Sequence, residues 1–249
     1  MENNFEKNDN QACRDNHQQH NHEHGHEHTH NSLLIEELMC HLPYAMLSVA
    51  LGITVLSFLG YGALLACIAQ GPIRKGSWIL FHSFHFMHIA FAATGTLVTY
   101  LRFSKNIFWG LVVSILTPSI FCTLSDVVFP HLAGKLLGVH MHWHLCFWGE
   151  LHNILPFLFA GLVNGFVMSR HHSSKQTLFS VFSHFFHILI SSFAAIFYLV
   201  SQGCTNWYDN IGIVFLLLVI AVVVPCTISD VVVPMMFTRA GKKDKDAKH

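Results

Sequence analysis

Six long apolar stretches alternate with short polar segments along the chain. They cover approximately residues 42–69, 79–101, 107–130, 146–168, 179–201 and 211–237. A helix of roughly 20 apolar residues crosses the hydrocarbon core of a bilayer, which is about 30 Å thick. The pattern therefore predicts an all-α integral membrane protein with six transmembrane helices.

The composition agrees with this prediction. Hydrophobic residues make up 52% of the 249 positions and charged residues 11%, with a mean hydropathy of +0.44, whereas soluble domains carry about 25% charged residues. The seven cysteines suggest no disulfide framework, and a formal net charge of zero does not indicate a nucleic-acid partner. The first 41 residues resemble no secretory signal, so we expect the first span to direct insertion.

The third and sixth stretches contain nearly the same nine residues. The sequence C-T-L-S-D-V-V-F-P at 122–130 returns as C-T-I-S-D-V-V-V-P at 226–234, with seven identical positions. The second and fifth stretches each contain H-x-x-H, and the first and fourth each begin near E-L-x-x-x-L-P followed by an aromatic residue. The membrane part is therefore interpreted as two related halves.

Each half has three predicted spans, an odd number, so the second half must enter the membrane from the opposite side. Inverted repeats of this kind recur in secondary transporters, because two similar halves can exchange conformations. An ordinary tandem duplication is the alternative. The expected organisation is a disordered His-rich metal-binding tail (1–35), a first three-helix repeat (36–131), an outer His-rich loop (132–145), a second three-helix repeat (146–238) and a basic tail (239–249).

The basic residues predict the orientation. With six spans both termini share one side, and that side holds 11 of the 14 lysines and arginines: Lys7, Arg14, Arg102, Lys105, Arg170, Lys175, Arg239, Lys242, Lys243, Lys245 and Lys248. The other side holds only Arg74, Lys75 and Lys135. Because cytoplasmic loops are enriched in basic residues, both termini are expected in the cytoplasm.

Ionisable residues inside the apolar stretches are the candidate functional groups, since such residues are costly in a membrane. Counting along the spans predicts an outer cluster of His82, His85, His88, Asp126, Glu150 and His152. The mirror set predicts an inner cluster of Glu37, His41, His184, His187 and Asp230. Each H-x-x-H presents two imidazoles on one helix face, and imidazole with carboxylate suits Zn, Ni, Co, Fe or Mn better than copper(I).

Simpler interpretations exist for the same residues. An intramembrane histidine can be a hydrogen-bonded packing residue, and Asp126 and Asp230 can cap helix ends, since each is followed by proline four positions later. Cys122 and Cys226 lie one turn before these aspartates. They are interpreted chiefly as small packing residues, with soft metal ligation as the alternative.

Two polar segments are rich in histidine. The N-terminal tail alternates histidine with small polar and acidic residues and predicts a disordered metal-binding arm; its candidate ligands are His22, His24, His26, His28 and His30. The outer loop contains an H-x-H-x-H pattern, whose candidate ligands for catching or releasing an ion are His140, His142 and His144.

These features favour a secondary transporter of a divalent transition metal ion (Zn, Ni, Co, Fe or Mn) that is coupled to a proton or other ion gradient. The expected partners are the lipid bilayer and metal ions, and a homo-oligomer is possible. The chain contains no H-E-x-x-H, P-loop or H-N-x-P-E-G motif, and a transporter is favoured over an enzyme. One alternative is a membrane redox protein, either a b-type cytochrome or a metal-dependent lipid-modifying enzyme. The second is a metal-responsive membrane sensor.

Overall fold

The computed structural model describes residues 30–143, 149–170, 176–204 and 207–237, and within these ranges the regular structure is entirely helical. The α-helices are α1 (His30–Leu65), α2 (Gln70–Phe103), α3 (Ile107–Thr123), α4 (Phe129–Leu136), α5 (Leu151–Arg170), α6 (Gln176–Ser201) and α7 (Ile211–Thr227). Two π-helical turns, π1 (Leu124–Val128) and π2 (Ile228–Val232), follow α3 and α7, and a 3₁₀ turn, Trp207–Asn210, precedes α7.

Within the described residues, five helical stretches are long and apolar enough to cross a membrane, as expected of a multi-pass membrane protein. They are His41–Leu65, Gln70–Phe103, Ile107–Leu136, Leu151–Arg170 and Tyr208–Phe237. The fifth predicted span, 179–201, coincides with α6, whose apolar part within the described residues is the shorter Phe185–Ser201.

Two boundaries differ from the sequence-based organisation. Helix α1 begins at His30, inside the predicted tail, and α4 continues to Leu136, inside the predicted outer loop. Both extensions contain polar residues. Hydropathy alone identifies the apolar stretch of a helix and does not show how far the helix continues beyond it. The remaining segment boundaries stay predictions.

The two π turns lie in the two copies of the duplicated motif, and the proline that ends each copy explains both turns. In an α-helix the N–H of residue i+4 bonds the carbonyl of residue i, but proline has no N–H and its ring clashes with that carbonyl. Pro130 and Pro234 each stand four residues after the motif aspartate. The preceding turn is widened, so that the N–H of Phe129 donates to the carbonyl of Leu124, five residues back. The N–H of Val233 bonds Ile228 in the same way.

Helices α2 and α6 pack against each other and form the centre of the bundle. Helix α5 packs on α2, while α1 packs on α6; α3 lies beside α2, while α7 lies beside α6. The π turns cross between the halves, since π1 contacts α6 and α7 while π2 contacts α2 and α3. Every one of these contacts has a counterpart when the two halves are exchanged.

Small residues permit the closest of these contacts. Gly161 and Gly165 lie one turn apart on α5, and a Cβ on Gly161 would lie 2.3 Å from the carbonyl oxygen of Ala90 on α2. A Cβ on Gly165 would lie 3.1 Å from the carbonyl oxygen of Thr94. Such a small-xxx-small pattern lets helix backbones approach in a membrane. It also lets Thr94 donate a hydrogen bond to the carbonyl of Gly161 across the interface, at 2.9 Å.

Candidate metal centre

Three histidines on the two central helices each face a carboxylate from a π turn. On α2, His85 and His88 lie on one face, and their Nδ1 atoms are 2.8 Å and 2.7 Å from the same Oδ2 of Asp126. On α6, Nδ1 of His187 is 2.8 Å from Oδ2 of Asp230. All five side chains are buried. An ionised carboxylate only accepts hydrogen bonds, so each of these Nδ1 atoms carries the proton.

The second oxygen of Asp126 is also fully engaged. Its Oδ1 accepts hydrogen bonds from the hydroxyl of Ser125 at 2.6 Å and from the hydroxyl of Ser191 at 2.9 Å. Asp126 is 0% exposed, and a buried charge is tolerated only when it is paired and hydrogen-bonded. Four donors from α2, π1 and α6 therefore stabilise this carboxylate and connect the two halves of the bundle.

The rings of His88 and His187 meet at the centre of this network. Their Nε2 atoms are 2.8 Å apart and their ring centroids 4.7 Å apart. Since both Nδ1 atoms carry protons, neutral rings would place two lone pairs against each other at this distance. Such a contact is stabilised only by a cation shared between the two nitrogens, either a proton or a metal ion.

Cys226 adds a sulfur to the pair of nitrogens. Its Sγ lies 3.6 Å from Nε2 of His88, and ligand atoms of His88, His187 and Cys226 all lie within 4.8 Å of one another. Cys226 is 3% exposed and comes from α7, so three helices contribute to the group. This buried group can hold a metal ion.

The N–S distance matches the coordination geometry of a small divalent ion, whereas the N–N distance is shorter than that geometry requires. A tetrahedral zinc ion, with bonds of about 2.0 Å to nitrogen and about 2.3 Å to sulfur, separates two nitrogens by about 3.3 Å and a nitrogen from a sulfur by about 3.5 Å. The observed N–S distance of 3.6 Å fits this geometry. The two nitrogens are 2.8 Å apart, so they must move about half an ångström further apart when the ion binds. Each ring also has the carboxylate partner that orients metal-bound histidines in many proteins.

The arrangement differs from the two clusters expected at opposite membrane faces. His88 and Asp126, assigned to the outer cluster, contact His187 and Asp230, assigned to the inner one, through the His88–His187 pair. The physical reason is helix length. Helix α2 starts at Gln70 and has 34 residues, so His88 lies near its middle and not in its outer half.

Other predicted ligands within the described residues lie apart from this group. The Nδ1–H of His82 donates to the carbonyl of Trp78 at 2.9 Å. Glu150, which directly precedes α5, accepts a hydrogen bond from Asn153 in the first turn of that helix. His85 shares Asp126, but its ring stacks on Phe81, and its buried Nε2 has no hydrogen-bond partner within the described part of the chain. The histidines with exposed side chains are His140, His142 and His152.

The remaining predicted ligands fall outside the described side chains. These are His22, His24, His26, His28, His30, Glu37, His144 and His184. Their proposed roles in metal binding stay predictions from the sequence.

Three residues of the centre were absent from the predicted ligand set. Cys226 stands four residues before Asp230 in the duplicated motif, and Ser125 directly precedes Asp126, so the repeat itself pointed to both positions. The sequence favours packing over soft metal ligation for Cys226, and the structure brings its sulfur to the centre. Ser191 stands four residues after His187 on α6, and a serine in an apolar helix is too common to have been recognised from sequence.

No protein-family profile, curated protein or solved structure matches this chain. The chemistry of the centre is therefore the basis for assigning a function.

Proposed function

We propose that this protein is a secondary transporter of a divalent transition metal ion, with His88, His187 and Cys226 as the ligands of the transported ion. The observation that carries the proposal is the close approach of the His88 and His187 Nε2 atoms, each ring being oriented by its own buried carboxylate. A preorganised imidazole pair in the interior of an apolar bundle has the character of an ion-binding position.

The relation between the halves supports transport over a purely structural metal site. Each half contributes one imidazole and one orienting aspartate, and the helix contacts are matched when the halves are exchanged. We propose that the chain has six spans arranged as two inverted repeats, so that exchanging the conformations of the halves exposes the ion to alternate sides.

The orientation and the accessory segments follow from the sequence. The excess of basic residues on one side favours cytoplasmic termini. In this arrangement the histidine-rich tail collects or delivers metal in the cytoplasm, and His140 and His142, whose side chains are exposed, do so at the opposite face. A proton or other ion gradient supplies the driving force.

The haem alternative fits the centre poorly. Two axial imidazoles on opposite sides of one iron stand about 4 Å apart, twice a metal–nitrogen bond of about 2.0 Å. The His88 and His187 nitrogens are 2.8 Å apart, which leaves no room for a porphyrin between them. No observation specifically favours the lipid-modifying or sensor alternatives.

The proposal is tested with purified full-length protein in liposomes that enclose a metal-sensitive dye. We expect wild-type protein to admit at least one of Zn²⁺, Co²⁺, Ni²⁺, Fe²⁺ or Mn²⁺, with a rate that changes when a pH or sodium gradient is imposed. His88→Gln and His187→Gln should each reduce the rate at least tenfold.

The matched control is Cys204→Ser. Cys204 is buried to 4% exposure, like the ligands, but within the described residues it does not belong to the group formed by His88, His187 and Cys226. Its variant should transport like wild type. The proposal is overturned if wild-type vesicles admit none of these ions, or if the two histidine variants transport as fast as the control.

A further inference from the structure

The two halves contribute unequally to the sulfur ligation of the centre. Cys226 belongs to the group of ligand atoms within 4.8 Å, whereas Cys122, at the same position of the first motif, does not. Yet Cys122 is equally buried, at 1% exposure, and packs in a buried cluster with Phe86 and Ile89, which flank His88 on α2. Two repeat-related thiols are therefore buried beside the helix that carries His88, and one of them is positioned as a ligand.

The packing brings these thiols towards each other from opposite halves. Cys122 lies in the last turn of α3 and Cys226 in the last turn of α7, each one turn before its π turn. Helix α7 packs against both α3 and π1. If the halves exchanged conformations, Cys122 would take the position that Cys226 now holds.

Three protein ligands leave one position of a tetrahedral ion open. An incoming thiol can bind there as a thiolate, and its proton passes to the outgoing thiolate as that ligand leaves, so the charge of the site is unchanged and the ion stays bound. A site closed by four protein ligands is instead typical of structural zinc. The chemistry therefore suits sequential use of the two cysteines.

We propose that Cys226 and Cys122 are alternative third ligands, between which the ion passes while His88 and His187 remain bound. The inference rests on the proposed transport function and narrows its substrate class. A site with one thiolate and two imidazoles favours a thiophilic ion such as Zn²⁺ or Co²⁺ over Mn²⁺, which prefers oxygen ligands.

Cobalt absorption counts the thiolates directly, because thiolate-bound Co²⁺ has a near-ultraviolet charge-transfer band that imidazole-bound Co²⁺ lacks. We would titrate Co²⁺ into full-length protein in detergent. Wild type, Cys122→Ser and Cys226→Ser should each show a band of one thiolate per cobalt, because either cysteine can serve. The double variant should lose the band, and Cys204→Ser should match wild type. Alanine versions of each variant exclude ligation by the serine oxygen.

A transport assay then distinguishes failure of the cysteine exchange from failure of the proposed transport function. In liposomes each single variant should move metal at least tenfold more slowly than wild type although it still binds cobalt through one thiolate. A band missing from Cys226→Ser overturns the exchange, since Cys122 is then only a packing residue. A wild-type band of two thiolates also overturns it. If wild-type protein transports no metal while the band pattern holds, the proposed function fails and the two-cysteine metal site stands.

Discussion

Replacing Asp126 with asparagine tests the part of the centre that depends most on buried charge. The carboxylate accepts four hydrogen bonds, two from imidazoles and two from hydroxyls. Asparagine keeps one accepting oxygen, but its amide group donates. The amide would face either two Nδ1–H groups or two hydroxyls, so at least one pair of donors loses its acceptor.

The expected loss of metal affinity follows from the orientation of His88. Without the carboxylate, the neutral ring can move its proton to Nε2, the atom that would bind the metal. Removing the carboxylate partner of a metal-bound histidine typically reduces affinity by about 10- to 100-fold, or about 1.4 to 2.7 kcal/mol. A buried donor left without a partner costs about 1–3 kcal/mol, so we also expect a lower melting temperature.

The assay is competition for Co²⁺ or Zn²⁺ between purified protein in detergent and a coloured chelator. Asp209→Asn is the matched control, because it makes the same chemical change at an exposed residue of the 3₁₀ turn. Its affinity should stay within twofold of wild type. If Asp126→Asn also binds metal within twofold of wild type while remaining folded, the carboxylate does not orient the ligand and the reasoning is refuted.

Two further predictions concern packing and thiol chemistry. Gly161→Ala should destabilise the protein by about 1–3 kcal/mol, because its Cβ would lie 2.3 Å from the Ala90 carbonyl oxygen. The control is Gly60→Ala, which should not destabilise the protein because nothing lies within 4 Å of the added Cβ. The measurement is thermal unfolding in detergent, and equal melting temperatures of the two variants would contradict the close α2–α5 contact. Burial raises the pKa of the Cys204 thiol, so at neutral pH less of it is present as the reactive thiolate. Cys204 should therefore react with maleimide more slowly than the exposed Cys67, and its rate should rise as the pH increases. Mass spectrometry of labelled peptides shows which cysteine reacts first, and faster labelling of Cys204 would contradict its burial.

Several features of the centre were readable from the chain because they are local. The H-x-x-H pairs place His85 and His88 on one helix face whatever surrounds them, since the α-helical period is a property of the backbone. The motif aspartates were identified by their cost in an apolar stretch. The proline four residues after each aspartate indicated a disturbed helix, although sequence alone did not distinguish a capped end from a π turn.

The meeting of His88 with His187 was not readable from the chain. Depth was inferred by counting residues along spans of about equal length, which placed the two residues at opposite faces. Helix α2 proves longer than its apolar stretch, and its lateral neighbours are set by surface shape, as at Gly161. Hydropathy reports whether a residue prefers lipid to water; it contains no information about which helix lies alongside.

The sequence by itself therefore determined the class of molecule, the duplication and the side chains that carry the chemistry, because hydrophobicity, helical period and repetition are properties of the chain. Only the tertiary structure decided that two aspartate–histidine pairs form one centre and that Cys226 joins it. Those facts depend on contacts between residues 99 and 138 positions apart, which exist only once the central helices have packed against each other.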